Sequence, residues 1–155
     1  MHKERIKTAI CWILVVICMA VIFWLSSRTA TESMEQSSAV LQWLINLFGD
    51  NFFTDFIVRK SAHCLEFTGL CLLFNIALHQ TAGHKKPILS IILTSTYAAT
   101  DEFHQLFVEG RSCQFADWII DSCGAVLGTI GFLILFCIVN LILQKKAKLV
   151  DSADN

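Results

Sequence analysis

Residues 9–25, AICWILVVICMAVIFWL, hold no charged side chain in 17 positions and are followed at once by Ser26, Ser27 and Arg28. A helix needs ~20 residues to cross ~30 Å of hydrocarbon, so this run reads as a membrane span over about residues 8–27. The basic residues before it would also suit a cleaved leader. A leader's apolar core is ~7–15 residues long and ends at a small-x-small site, whereas this run closes on Phe23, Trp24 and Leu25. It is expected to remain as an anchor.

Working outward, residues 119–143 contain one charge, Asp121, and residues 64–78 are broken only by Glu66. Residues 88–99 are apolar with a few hydroxyls and reach spanning length only by continuing past Asp101 and Glu102 to about Phe107. Composition agrees. The chain is 55% apolar and 16% charged, against ~45–50% and ~25% in soluble domains. A net charge of −1 and a mean hydropathy of +0.60 exclude a disordered chain and a nucleic-acid binder. The expected fold is all-α, one polytopic membrane domain over residues 1–155. It is a four-transmembrane-helix bundle with spans near 60–78, 88–107 and 117–143 after the first, and a polar, frayed cytoplasmic tail over 144–155.

Between the first two spans, residues 33–48 place Val40, Leu41, Trp43, Leu44, Leu47 and Phe48 on a helical period opposite Glu35, Gln36, Gln42 and Asn46. This is the pattern of an amphipathic helix in the outer interface, or of a surface helix packed over the bundle. A cytoplasmic N-terminus puts 8 of the 12 Lys and Arg residues inside and 4 outside, which satisfies the positive-inside bias with both termini cytoplasmic. The acidic residues run the other way, with 10 of 13 toward the outer end. Helix four is expected to pack centrally through Gly124, Gly128 and Gly131, since small residues let helix backbones approach. Of the seven cysteines, Cys11, Cys18, Cys71 and Cys137 read as packing groups, and Cys64, Cys113 and Cys123 leave a disulfide open.

Chemistry-bearing residues concentrate in two stretches. In the first, Arg59, His63 and Glu66 share a helical face beside Lys60. The second runs from Asp101-Glu102-Phe103-His104-Gln105 through Arg111 to Asp117 and Asp121. Buried charge in a bilayer costs several kcal/mol, by estimates from ~2.5 to over 10, unless paired or hydrated. One explanation is a structural ion-pair network of Arg59 and Arg111 against Asp101, Asp117 and Asp121. The two histidines point beyond it, because imidazole suits proton transfer or metal ligation.

At these residues the chain resembles the VanZ-like family. The match is carried by Phe23-Trp24-Leu25-Ser26-Ser27-Arg28, by Arg59-Lys60-Ser61-Ala62-His63-Cys64-Leu65-Glu66-Phe67, and by Asp101 to Arg111 continuing into Asp117, Asp121 and Gly124. Two departures stand out: Arg28 where glutamine is expected, and Glu109 where proline is expected. The resemblance implies a polytopic membrane protein of a family named for low-level resistance to teicoplanin-type glycopeptides, and it supplies no mechanism.

Three readings follow. The first is an outward-facing site that binds or modifies a membrane lipid or lipid-linked cell-wall precursor. Arg59, Lys60, Gln105 and Arg111 would bind, and His63 or His104 would act as acid or base beside Glu66 or Asp101. A divalent metal on Asp101, Glu102, Asp117 and Asp121 would suit hard oxygen ligands. The second is a non-catalytic protein limiting antibiotic access. The third is a proton-coupled transporter, for which four helices would require a homodimer. The charge asymmetry makes a direct prediction. An impermeant maleimide should label Cys113 in intact cells carrying an otherwise Cys-less variant; labelling only after permeabilisation would reverse the topology.

Overall fold

A computed structural model describes residues 2–49 and 53–153 of the chain. They form five helices and no strand: α1 (His2–Ser26), α2 (Ala30–Phe48), α3 (Asp55–Ala82), α4 (Pro87–Gln105) and α5 (Phe115–Ala153). Asp50 and Asp154, both counted in the charge tally, and Asn155 of the tail lie outside the described residues. Three helices are long and apolar enough to cross a membrane: Lys3–Ser26, Asp55–Ala82 and Phe115–Leu149. The 19-residue α4 is about 28 Å long at 1.5 Å per residue. It is too rich in Ser, Thr and acidic residues to join them by composition.

Local chemistry sets the helix ends. Thr29 caps α2, its hydroxyl accepting from the Glu32 N–H while the Glu32 carboxylate accepts from the Thr29 N–H at 3.0 Å. Thr54 caps α3 by accepting from the Ile57 N–H at 3.3 Å. Pro87 opens α4, where its missing N–H costs nothing. Gly83 closes α3 at φ +72°, a left-handed turn that suits glycine. At the other extreme, residues 144–153 are not a frayed tail. They continue α5 because Gln144, Lys145, Lys146, Ala147, Lys148 and Leu149 are good helix formers with no glycine or proline among them.

The helix at the centre is α3, not α5 as the glycines suggested. It packs against each of the other four helices, and Phe67, Leu70, Cys71 and Ala77 on it are fully buried. With Val15 and Ile22 of α1 and Ala98 of α4, Phe67, Leu70, Phe74 and Ala77 make the apolar core. The glycine stripe does bring α5 onto α3. A Cβ at Gly124 would land on the Cys64 carbonyl oxygen, and one at Gly128 on the Thr68 carbonyl oxygen. Gly131 faces open space and takes no part. The rest of α5 is largely exposed, as a lipid-facing helix would be.

Contacts also fix helix directions. The end of α1 meets the end of α4 through Ser26 and Asp101, and the start of α3 meets the start of α5 through Lys60 and Asp117. At the opposite end Trp12 Nε1 donates to Thr81 Oγ1 at 3.0 Å. Helices α1, α3, α4 and α5 therefore alternate in direction, and α2 touches α3 alone among the helices. All seven cysteines are free, so Cys64, Cys113 and Cys123 form no disulfide, and Cys137 faces outward.

The close approach predicts a sharp positional contrast. Gly128→Val should drive α5 off α3 and destabilise the protein by about 1–3 kcal/mol, the usual range for overpacking. Gly131→Val, three residues on, should melt near wild type. Thermal melting of both variants in the same detergent tests the contrast.

Candidate functional site

The chemistry-bearing residues gather at the end of the bundle where α1 and α4 finish and α3 and α5 begin. Asp101, almost fully buried, accepts through Oδ2 from Ser26 Oγ at 2.7 Å and from Gln105 Nε2 at 3.2 Å. Its Oδ1 has no partner among the described residues. Glu102, also buried, accepts from the Gln114 N–H at 2.9 Å and so ties α4 to the loop entering α5. Asp117 is ion-paired with Lys60. Asp121 is 1% exposed, and neither of its oxygens has a hydrogen-bond partner among the described residues.

On α3, His63 Nδ1 and Glu66 Oε2 stand 3.7 Å apart, close enough for charge interaction and too far for a hydrogen bond. Both atoms are buried and lack hydrogen-bond partners among the described residues. His104 is placed differently. Its ring stacks on Phe23 of α1 with centroids 4.2 Å apart, at the α1–α4 seam. The expected pairing of arginine with carboxylate is not what forms. Among the described residues the ion pair joining two helices uses Lys60, because the guanidinium of Arg111 is turned to a backbone oxygen: its Nε donates to the Arg28 carbonyl at 2.9 Å.

That bond is half of a clasp over the site. The Ala30 N–H donates to the Glu109 carbonyl at 3.2 Å, joining the α1–α2 turn to the α4–α5 loop. Gly110, at φ +75°, sits against Ala30, where an added Cβ would come within 3.0 Å of the Ala30 Cβ. Burial and the nearby Arg59 charge pull the Arg111 guanidinium below its ordinary range, though an arginine stays cationic at any physiological pH.

Under the clasp lies a polar cavity of about 90 Å³ whose lining includes Arg59, Lys60, His63, Gln105, Arg111 and Asp117. A larger, mainly apolar groove of about 400 Å³ runs between α2 and α3, and Arg59, His63, Glu66 and Arg111 stand along it. The four expected binding residues thus share one cavity with His63. Asp101, Glu102, His104 and Asp121 line neither space.

A family model, VanZ/LLP1, matches residues 11–138. The chain belongs to the VanZ-like family. No curated protein and no solved structure matches it. The VanZ-like span opens inside α1 and closes inside α5, so every residue of the cavity and of the carboxylate cluster lies within it. Membership fits an association with glycopeptide resistance at the level of the family alone.

Two parts of this VanZ-like site were not expected from sequence. Ser26 was visible as part of a motif, but nothing local showed that its hydroxyl reaches a carboxylate 75 residues away. Gln114 lines the polar cavity and donates its N–H to Glu102, and an exposed loop glutamine carries no signal of that. As to metal, no group of three or more His, Cys, Asp or Glu side chains among the described residues is arranged to hold an ion. Asp101, Glu102 and Asp117 instead accept from Ser26 and Gln105, from the Gln114 backbone and from Lys60.

The two kinds of carboxylate should respond oppositely to neutralising their surroundings. Lys60→Met leaves Asp117 partly buried without its cation and should destabilise the protein, approaching the ~3–5 kcal/mol of a broken buried pair. Asp121→Asn exchanges a buried carboxyl with no hydrogen-bond partner among the described residues for a neutral amide of similar shape and should hold or raise the melting temperature. Melting both variants beside wild type decides whether Asp121 is a strut; a large loss of stability in Asp121→Asn would make it one.

Proposed function

We propose that this VanZ-like protein binds the anionic headgroup of a cell-envelope lipid at the clasped end of the bundle, with His63 and Glu66 exchanging protons there. One observation carries the reading. Three cations, Arg59, Lys60 and Arg111, line a small cavity together with an imidazole whose buried Nδ1 has no hydrogen-bond partner among the described residues. Arginines suit phosphate and carboxylate through charge-assisted, bidentate bonds. Lys60 is committed to Asp117, which leaves Arg59 as the freer headgroup ligand. Arg111, held by the clasp, offers its remaining N–H groups. Imidazole is the side chain whose unperturbed pKa, ~6.5, lets it give and take a proton near neutral pH.

In this reading α4 also spans, as the third of four in chain order, both termini are cytoplasmic and the clasp faces outward. The support is the lysine and arginine distribution together with the alternating helix directions. The exposed Val40, Trp43, Leu47 and Phe48 of α2 then rest in the outer interface, where aromatic and apolar side chains sit well. His104 and Asp101 act as support behind the cavity. The family's association with glycopeptides fits a site that acts on the envelope lipids those antibiotics depend on.

A proton-coupled transporter would need polar groups to continue across the bundle. Beyond Glu66, the next unpartnered buried atoms on α3 belong to Asn75 and His79. Nine residues of helix, about 13 Å, separate Glu66 from Asn75, and the fully buried Phe67 and Leu70 fill that stretch. The buried polar groups deeper in the bundle, Cys71, Asn75 and Thr129, are bonded to one another, which favours a packing role there over a conduction path.

The test is a comparison of wild type with His63→Gln, which keeps size and hydrogen-bonding capacity but does not titrate. Each is expressed in a teicoplanin-sensitive Gram-positive host, with membrane lipid extracts compared by mass spectrometry. Wild type should shift the envelope-lipid profile and reduce susceptibility, and His63→Gln should do neither at equal membrane abundance. Equal protection by the variant would remove the acid–base role and leave a non-catalytic shield.

A further inference from the structure

The groove between α2 and α3 takes no part in the headgroup chemistry above, yet it is the larger of the two spaces. At about 400 Å³ it falls within the ~300–1,000 Å³ usual for ligand sites. Its α2 wall includes Val40 and Leu44, and its α3 wall includes Ile57, Val58 and Ala62. These side chains offer hydrocarbon nothing but hydrocarbon. At its polar end stand Arg59, His63 and Arg111, and the same three residues line the cationic cavity. The two spaces are therefore joined through two guanidinium groups and an imidazole. An apolar trough that ends in two guanidinium groups, with Glu66 the one carboxylate on its lining, complements a molecule in which charge and hydrocarbon are adjacent, with the charge negative.

We propose that one hydrocarbon chain of a phosphate-headed membrane lipid lies in the α2–α3 groove, with its phosphate held between Arg59 and Arg111. The proposal rests on the headgroup reading of the same site and names the form in which the substrate arrives. Chain burial supplies little affinity in itself, because moving a chain from bilayer to groove exchanges one apolar surroundings for another. The groove contributes position. With the chain along α3, the linkage between head and chain falls beside His63 and Glu66, which face the groove where it meets the cavity. The α2 wall is anchored where it must be: Ser38 Oγ donates to Asp55 at 2.9 Å and the Ala30 N–H donates to the Glu109 carbonyl.

The experiment uses the full chain in phosphatidylcholine nanodiscs doped with phosphatidic acid bearing a photoactivatable diazirine on one acyl chain. Phosphatidylcholine carrying the same diazirine chain is the second probe. After illumination, cross-links are mapped by mass spectrometry. Phosphatidic acid should mark Val40, Leu44, Ile57 and Ala62 in preference to the outer face of α5, and unlabelled phosphatidic acid should compete. Ala62→Trp, which fills the trough, should lose the groove cross-links, and Ile130→Trp on the exposed face of α5 should keep them. Labelling spread evenly around the bundle, or groove labelling unchanged by Ala62→Trp, overturns the chain site. If groove labelling is equal for both lipids and indifferent to Arg59→Gln, the chain site stands and the phosphate reading falls. If phosphatidic acid competes for binding but never marks the groove, the headgroup reading stands and the chain site falls.

Discussion

The close approach of α5 to α3 is the constraint on which the site depends. Gly124 and Gly128 let the two backbones touch at Cys64 and Thr68, and Thr68 Oγ1 bridges them by donating to the Gly124 carbonyl at 3.1 Å. In a bilayer, apolar surface gives helices little reason to associate, and tight packing with shared hydrogen bonds supplies it. The contact sets the rotation of α5. Asp117 then meets Lys60, and Asp121, one turn deeper, is enclosed by the bundle. A bulkier residue at either glycine would move both carboxylates.

Polar groups at this end of the molecule divide into those that hold it together and those left available. Ser26, Gln105, Gln114 and Lys60 each satisfy a carboxylate across an element boundary or along α4. His63 Nδ1, Glu66 Oε2, Asp101 Oδ1, His104 Nδ1 and both oxygens of Asp121 remain without such partners among the described residues. Buried polar groups are nearly always hydrogen-bonded, and the exceptions collect where a structure does chemistry or takes a ligand. Of the five residues that carry such atoms at this end, His63 and Glu66 face the groove.

The helical plan could be read from sequence because charge-free runs of spanning length have few other meanings. The gathering of ionisable residues at one end of the bundle was readable too, since they cluster toward one end of three helices. Its wiring was not. Helical spacing put Arg59 with His63 and Glu66, but it could not show that Lys60, one residue on and off that face, would take the ion pair. Nor could it choose between His63 and His104. Both follow a shared pattern of histidine near carboxylate, and only the rotation of α4 against α1 turns His104 onto Phe23. The glycine stripe gave the correct contact and the wrong centre, because a small-residue face reports closeness to one neighbour and not the number of neighbours.

The clasp between the α1–α2 turn and the α4–α5 loop is made at both 28 and 109 by carbonyl oxygens. Every residue type carries that oxygen, proline included, so these two positions are free to drift while the closure persists. They are also the two places where this chain parts from the pattern expected of its family. Gly110, next to Glu109, has no such latitude, because its positive φ and the neighbouring Ala30 both oppose a side chain. Evolutionary variation at the rim of the site should therefore accumulate on either side of Gly110 and Arg111 and spare those two, which makes side-chain identity at 28 and 109 a poor guide to whether a relative keeps the same closure.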